Sequence, residues 1–464
     1  MNIRTFQKNV ARYGAGVLLM RAATIVLLPL YANILTPDAF GVYSLAAAFF
    51  AFVTVLSQCG LQQALTKDVL TGTTGHSTKE VFSSTLHFVL LTSTLLAVAA
   101  VISARPLALT VLGAPGYAHL MLIGAFGLIA ENCYMFGIRM LKIHEKAGAV
   151  LSASAVVAVL KITLTVWFLV GMHMGIAGIM LADVIGLALA FAGLLPWLRK
   201  YYLPRLDRAI VSRALRFGLP MVAGGILTIG VDVADRFFIK SFLGTRQVGI
   251  YSMVYRLGLI MNIFVMGFRS AWTPRILRMH GAAEGPAFAG RTLTQLLAAM
   301  AVIGVTVSLC ARDILQSPLF DDVYLEGAHI VPLILAGYAC NALLSFYSAF
   351  PYIQGKSRYF LIADLVAFTV NIALNILLIP YAGLLGAGLA TLAAFAAGVL
   401  YLWYLSRHRF RVRYECRRIA GIAAAAAAGM AAGMWIDRLF VDVIIIAGLC
   451  LMLLLALRGS RLRS

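Results

Sequence analysis

Among the ionisable side chains that interrupt long apolar stretches of this sequence, five stand out: Arg21, Glu131, Lys161, Asp235 and Arg256. Within a bilayer such a charge costs roughly 2.5–3.5 kcal/mol on insertion scales, so each needs a partner, a wet cavity or a ligand. Arg21 and Arg256 have no carboxylate within four residues along the chain. Two guanidiniums without a local counter-charge point to an anionic ligand, and their planar forks match the paired oxygens of a phosphate. Glu131 and Lys161 have opposite signs and can pair as cavity charges, as can Asp235 with its neighbour Arg236. A further group is rich in oxygen. Asn371 and Asn375 are four apart and share one helix face, while Thr391 and Asp235 lie at a similar depth in their own apolar stretches. These four form a candidate coupling-ion site, offering oxygens to Na⁺ or a carboxylate to a proton. Interhelical hydrogen bonding, worth about 0.6–2 kcal/mol per contact, accounts for the amides and hydroxyl equally well.

Motifs for covalent chemistry are weak. Gly355-Lys356-Ser357 has Phe350 where a phosphate-binding loop needs its earlier glycine. Cys59, Cys133, Cys310, Cys340, Cys416 and Cys450 show no C-x-x-C spacing, the histidines are dispersed, and there is no G-x-S-x-G elbow. No cofactor, disulfide framework or metal site is expected beyond a coupling Na⁺ or proton, and the chain reads as a non-enzyme.

The elements that must position these residues are membrane helices. Hydrophobic residues make up 62% and charged residues 12% of the chain, too apolar for one soluble core. Apolar stretches fall at about 12–34, 40–60, 81–103, 117–141, 147–170, 174–198, 213–240, 247–270, 290–312, 328–353, 358–379, 383–405, 417–436 and 441–458, each long enough to span a bilayer. Transmembrane strands would need about ten residues of polar alternation, which runs such as 420–429 lack. The N-terminal MNIRTFQKNVARYG is basic and leads straight into a full-length stretch without a small-residue cleavage site, which predicts a retained first helix. The fold class is therefore an all-α polytopic membrane protein with about 14 transmembrane helices.

The net charge of +20 is explained by topology rather than by nucleic acid. With a cytoplasmic N-terminus, 27 of the 38 Lys and Arg fall in inside segments and 5 in outside loops, which places both termini in the cytoplasm. The densest clusters, Arg199, Lys200, Arg205, Arg208, Arg213 and Arg216, then Arg407 to Arg418, would face anionic membrane lipids.

The chain also repeats itself. TPDAFGVYSL at 36–45 aligns with GTRQVGIYSM at 244–253, placing Gly41, Tyr43 and Ser44 on Gly249, Tyr251 and Ser252. Further on, Phe136, Lys146, Ile162 and Gly178 fall on Phe346, Lys356, Ile372 and Gly388 at a nearly constant offset. Two parallel six-helix repeats follow: an N-lobe over 1–198 and a C-lobe over 213–406, with a basic cytoplasmic connector at 199–212 and two appended spans in 407–464. The ionisable residues break this symmetry. Arg21 falls on Ile229, Arg256 on Ala48, Asp235 on Leu27, Glu131 on Asn341 and Lys161 on Asn371. Gly224, Gly225, Gly383, Gly386 and Gly388 are expected to allow close helix packing or bending.

The segments LPLYANILTPDAFGVYSL, RFGLPMVAGGILTIGVDVADRFFIKSFLGTRQVGIYSMVYRL, AWTPRIL and NIALNILLIPYAGLLGAGLATL carry a resemblance over nearly all of the chain. It resembles the polysaccharide-transporter branch of the multidrug/oligosaccharidyl-lipid/polysaccharide exporter superfamily. The resemblance implies a bacterial inner-membrane flippase that moves an undecaprenyl-diphosphate-linked oligosaccharide from the cytoplasmic to the periplasmic leaflet by alternating access. Its products would feed O-antigen (lipopolysaccharide), capsule or exopolysaccharide assembly, with the polymerase and glycosyltransferases of that pathway as partners.

The alternative is a lipid II flippase of the same superfamily, whose first-helix and eighth-helix cavity arginines Arg21 and Arg256 match. Asp235, Asn371, Asn375 and Thr391 match its sodium-site region, with a departure at Asn375, where that flippase has a second carboxylate. A cation-coupled drug antiporter would favour carboxylates and aromatics in its cavity, and Arg21 and Arg256 argue against it. A membrane glycosyltransferase would need a larger periplasmic domain than the loops at about 104–116 and 313–327 provide.

The charge asymmetry makes a topological prediction. In a cysteine-free background, Arg208→Cys should be shielded from an impermeant thiol reagent added outside, and Ser317→Cys should be labelled. The opposite pattern reverses the orientation.

Overall fold

The computed structural model describes residues 3–435 apart from 73–74, 280–283, 355, 357 and 408–411. The expected span at about 441–458, with Arg438 and Cys450, lies outside the described residues, as do Gly355 and Ser357. Among the described residues every regular element is helical. Among the described residues eleven helices are long and apolar enough to cross a membrane. The chain is an all-α, multi-pass membrane protein.

Its helices run α1 (Ile3–Val26), α2 (Leu28–Ile34), α3 (Pro37–Gln58), α4 (Leu61–Thr71), α5 (Thr78–Ile102), α6 (Ala104–Leu107), α7 (Ala118–Ile143), α8 (Ala147–Val166) and α9 (Gly175–Leu198). They continue with α10 (Arg208–Leu243), α11 (Thr245–Tyr255), α12 (Leu259–Arg278), α13 (Gly285–Gln316), α14 (Val331–Tyr347), α15 (Ala349–Gln354), α16 (Arg358–Ser406) and α17 (Cys416–Trp435). The chain forms two compact units, Met1–Phe237 and Phe238–Ser464, with the boundary inside α10.

Local chemistry sets the helix ends. Thr36 accepts a hydrogen bond from the Ala39 amide at 3.2 Å ahead of Pro37, which suits the first helical turn. Ser77 and Glu80 form a reciprocal capping box at the start of α5. Two serines on α5 then hold the basic connector: Leu203 N–H donates to Ser83 Oγ at 2.7 Å and Asp207 N–H to Ser84 Oγ at 3.0 Å. Asp207 in turn accepts from the Ala209 amide at 2.8 Å, opening α10, and these backbone donors hold its carboxyl below the usual carboxylate range.

α16 is 49 residues long and contains two of the expected spans. Pro380 removes an amide donor, and Gly383 then takes φ 58°, ψ −135°, so the chain turns back. The arms pack closely enough that a Cβ on Gly386 would lie 2.6 Å from the Leu378 carbonyl. Further along, a Cβ on Gly398 would lie 3.5 Å from the Ala363 carbonyl and 3.7 Å from Ala367 Cβ.

Packing within each unit repeats. In the first, α7 packs on α3, α5 and α9; in the second, α14 packs on α12, α13 and α16. These are the second, third and last spans of each sequence copy. The thirteenth expected span is α17, which lies on α13, where Gly429 meets Val305. In the AWTPRIL segment, Trp272 is buried with its ring centroid 4.6 Å from that of Phe346, and Nε1–H donates to the Phe346 carbonyl at 2.9 Å.

Gly60 has φ +67°, and a Cβ there would run into the Gly218 carbonyl. Gly72 has φ +60° with nothing within 4 Å of the added atom. Gly60→Ala should therefore cost about 2–4 kcal/mol, from the left-handed backbone plus overpacking, and Gly72→Ala only about 1 kcal/mol. Thermal unfolding of both variants in detergent tests this. Equal losses would show that the Gly218 contact contributes nothing.

Candidate functional site

The first unit holds an open cavity of about 340 Å³ between α3, α7, α8 and α9, with Met20 of α1 at one wall. Its charged lining is Glu131, Lys161 and Asp183; Tyr43, Phe50 and Tyr134 provide aromatic walls, and Gly124, Gly127, Ala47 and Ala51 leave the space open. Gly124 is fixed as glycine because a Cβ would strike the Phe50 ring.

Each charge is set by the helix that carries it. On α7, Asn132 is fully buried; its amide donates to Ser57 Oγ at 2.8 Å and Ser93 Oγ at 2.9 Å and accepts from Gln58 at 3.0 Å. That ties α7 to α3 and α5. Thr92 adds a hydrogen bond to the Ser57 carbonyl at 2.6 Å. Successive residues of a helix point about 100° apart, so fixing Asn132 against α3 and α5 turns its neighbour Glu131 towards the cavity. Thr54 Oγ1 donates to Glu131 Oε2 at 3.0 Å.

The sequence allows a Glu131–Lys161 pair, but the structure gives Lys161 Asp183 instead: Nζ lies 2.6 Å from Oδ1. The pair crosses from α8 to α9, a register that the linear sequence does not contain. Asp183 and the Asn132 network were missed at the sequence level. Asp183 gives the same signal as Glu131, a carboxylate inside an apolar span.

Arg21 is half-buried on α1, one residue past Met20, and among the described residues it has no hydrogen bond or ion pair. α1 is held against α8, where a Cβ on Gly16 would sit 3.0 Å from Ser154 Oγ. Arg256 belongs to the second unit and is also half-buried, opening a 3-10 turn, Arg256–Gly258, between α11 and α12. That turn is pressed on α14, because a Cβ on Gly258 would come 2.7 Å from the Tyr338 ring.

Asp235 is fully buried in the first unit and accepts hydrogen bonds from Arg236 N–H at 2.8 Å and Nη1 at 3.2 Å. The neighbour pairing anticipated from sequence is thus formed. Asn371, Asn375 and Thr391 belong to the second unit and are buried, with exposures of 0%, 0% and 3%. Asn375 Nδ2 donates to Asn371 Oδ1 at 2.9 Å, as their four-residue spacing predicts. The packing of Gly386 on Leu378 and of Gly398 on Ala363 and Ala367 sets the register between the arms of α16. That register brings Thr391 opposite the Asn371–Asn375 segment. Among the described residues Asn371 Nδ2, Asn375 Oδ1 and Thr391 Oγ1 have no hydrogen-bond partner. An unsatisfied buried polar group costs about 1–3 kcal/mol, so this trio is chemically incomplete. Its neutral oxygens are the kind of ligand a hard cation accepts. Among the described residues no group of three His, Cys, Asp or Glu could hold a metal ion.

Residues 6–280 match the model of a family described as polysaccharide biosynthesis protein. No curated protein matches the chain. Among solved structures, the chain is similar to the lipid II flippase MurJ in an inward closed conformation, with a TM-score of 0.73 at 18% identity over 95% of this chain and 98% of that one. It is similar to an inward-facing multidrug resistance MATE transporter, with a TM-score of 0.64 at 15% identity over 87% and 96% of the two chains. The Vibrio cholerae MATE transporter VcmN gives 0.63 at 15% identity over 88% of this chain and 97% of that one. At these identities the likeness is one of fold.

Lys161→Met should leave the Asp183 carboxylate without its cation and destabilise the protein by about 1–3 kcal/mol, discounted for partial exposure of the pair. Adding Asp183→Asn should recover most of that loss, and thermal unfolding of the two single variants and the double variant reads the coupling directly. Additive losses would show the pair to be energetically idle.

Proposed function

Because the chain belongs to the polysaccharide biosynthesis protein family, we propose that it is a flippase rather than an enzyme. On this reading it carries an undecaprenyl-diphosphate-linked oligosaccharide from the cytoplasmic to the periplasmic leaflet of a bacterial inner membrane. Arg21 is the observation that carries this proposal: a half-buried cation on the first membrane helix without a partner among the described residues. A diphosphate cannot enter hydrocarbon unaided, and guanidiniums replace its hydration in pairs of hydrogen bonds. Arg21 and Arg256 would contact the diphosphate while the prenyl chain stays in lipid. Alternating access of the two lobes then delivers the head group outward, with both termini in the cytoplasm.

Coupling to Na⁺ fits two orphaned oxygens of the second unit, Asn375 Oδ1 and Thr391 Oγ1. Asn371, Asn375 and Thr391 would hold the ion through their side-chain oxygens, and the ion would supply the free-energy gradient that makes export directional. Asp235, already compensated by Arg236, would carry a proton in the alternative coupling.

Two other readings each draw on one observation. A lipid II flippase is favoured by the fold likeness to MurJ and would use the same arginines. A drug antiporter is favoured by the carboxylates Glu131 and Asp183 beside Tyr43, Phe50 and Tyr134. Rescue of a strain lacking its polysaccharide flippase, of a strain depleted of its lipid II flippase, or of resistance to an organic cation separates the three.

Arg21→Ala should abolish export while leaving membrane abundance and thermal stability near normal, Arg256→Ala should abolish export, and Lys should rescue either only partly because it loses the bidentate geometry. Loss of folded protein by about 3–5 kcal/mol would identify a structural ion pair instead. Retained export in both variants would sink the diphosphate role.

Thr391→Val and Asn375→Leu should blunt the dependence of transport on a Na⁺ gradient without lowering abundance. If wild-type transport ignores both Na⁺ and proton gradients, the trio serves only helix packing.

A further inference from the structure

The cavity of the first unit has a charge balance that the diphosphate role leaves unused. Lys161 and Asp183 cancel across 2.6 Å. Glu131 therefore sets the net charge of the lining, which is zero when it is protonated and negative when it is ionised. It is never positive. A phosphate or a sugar carboxylate entering here meets no uncompensated cation and one carboxyl group, which disfavours any anion.

The same lining suits an uncharged sugar ring. Glu131 accepts one hydrogen bond from Thr54 Oγ1 on Oε2 and retains acceptor capacity on Oε1. Asp183 and Lys161 add an acceptor and a donor within the same space, while Tyr43, Phe50 and Tyr134 contribute aromatic side chains to its walls. A carboxylate can take two neighbouring hydroxyls, and an aromatic face covers the C–H side of a pyranose. Ligand sites commonly combine such apolar walls with a few fixed polar groups. The cavity volume of about 340 Å³ is ample for a pyranose ring.

We propose that this cavity is a saccharide subsite that holds one uncharged pyranose residue of the transported head group and discriminates against uronic acid residues. The proposal rests on the flippase reading above and adds a specificity to it.

The test is binding of three ligands to the purified full-length protein in detergent, measured by native mass spectrometry: a prenyl diphosphate, the same lipid bearing one neutral hexose, and the same lipid bearing one hexuronate. The hexose-linked lipid should bind about tenfold or more tightly than the hexuronate-linked one, as expected for hydrogen bonds to a charged group gained against like-charge repulsion. Glu131→Gln should shrink that ratio towards one and leave prenyl diphosphate binding unchanged. Ala47→Phe, which fills the cavity without touching its charge, should remove the gain from the hexose in the same way.

Equal affinity of the wild type for hexose-linked and hexuronate-linked lipid overturns the subsite while leaving the diphosphate role intact. So does a ratio that survives both substitutions. Absence of binding by all three lipids overturns the subsite and the flippase reading together. Tight binding of an organic cation such as rhodamine 6G, weakened by Glu131→Gln, with no response to the sugar, assigns the cavity to cation export and overturns the saccharide proposal.

Discussion

Hydrocarbon offers no water to a backbone amide or to a charged side chain, and every feature of this protein answers to that fact. It forces the backbone into helices, because only there does each amide find its acceptor within the same segment. Where the backbone must turn inside α16, it does so at a proline and a positive-φ glycine, and the arms close on each other at Gly386 and Gly398. The same constraint makes any polar side chain within the spans a statement about its surroundings.

Those statements differ in kind. Asn132 has its amide hydrogen and oxygen groups engaged by Ser57, Ser93 and Gln58, so it joins three helices and asks for nothing more. Lys161 and Asp183 are complete as a pair, and Asp235 is compensated by Arg236. Arg21 and the trio of Asn371, Asn375 and Thr391 are not completed by the described residues. Satisfied groups account for the scaffold; an unsatisfied one is a place where a further hydrogen-bond or ion partner would be favourable.

Much of this was legible in the sequence, because span length, apolar composition and the i, i+4 spacing of Asn371 and Asn375 are local properties. The turn between the eleventh and twelfth spans was marked by Pro380 and the glycines that follow it. Partner choice was not legible. Lys161 sits on α8 and could face carboxylates of either α7 or α9; only the packing register gives it Asp183. The level of Thr391 beside Asn371 and Asn375 likewise depends on how the arms of α16 meet, which glycine contacts decide and periodicity does not. Asp183 carries the same signal as Glu131, a carboxylate within an apolar span, and periodicity alone does not say which of the two Lys161 meets.

The sequence repeat sets these differences side by side. Lys161 falls on Asn371 in the repeat, so the fifth span of one copy and the corresponding span of the other carry their polar groups at the same place. In the first unit that place holds a cation neutralised by a carboxylate on the next span. In the second it holds an amide, a second amide one turn away and a hydroxyl on the next span, with polar atoms unmatched. A self-neutralised ion pair can shape a cavity and select against charge without binding an ion. A neutral set with spare oxygens can bind a cation without fixing a net charge of its own. One helix pair, present twice, thus carries charged groups in one copy and neutral hydrogen-bonding groups in the other.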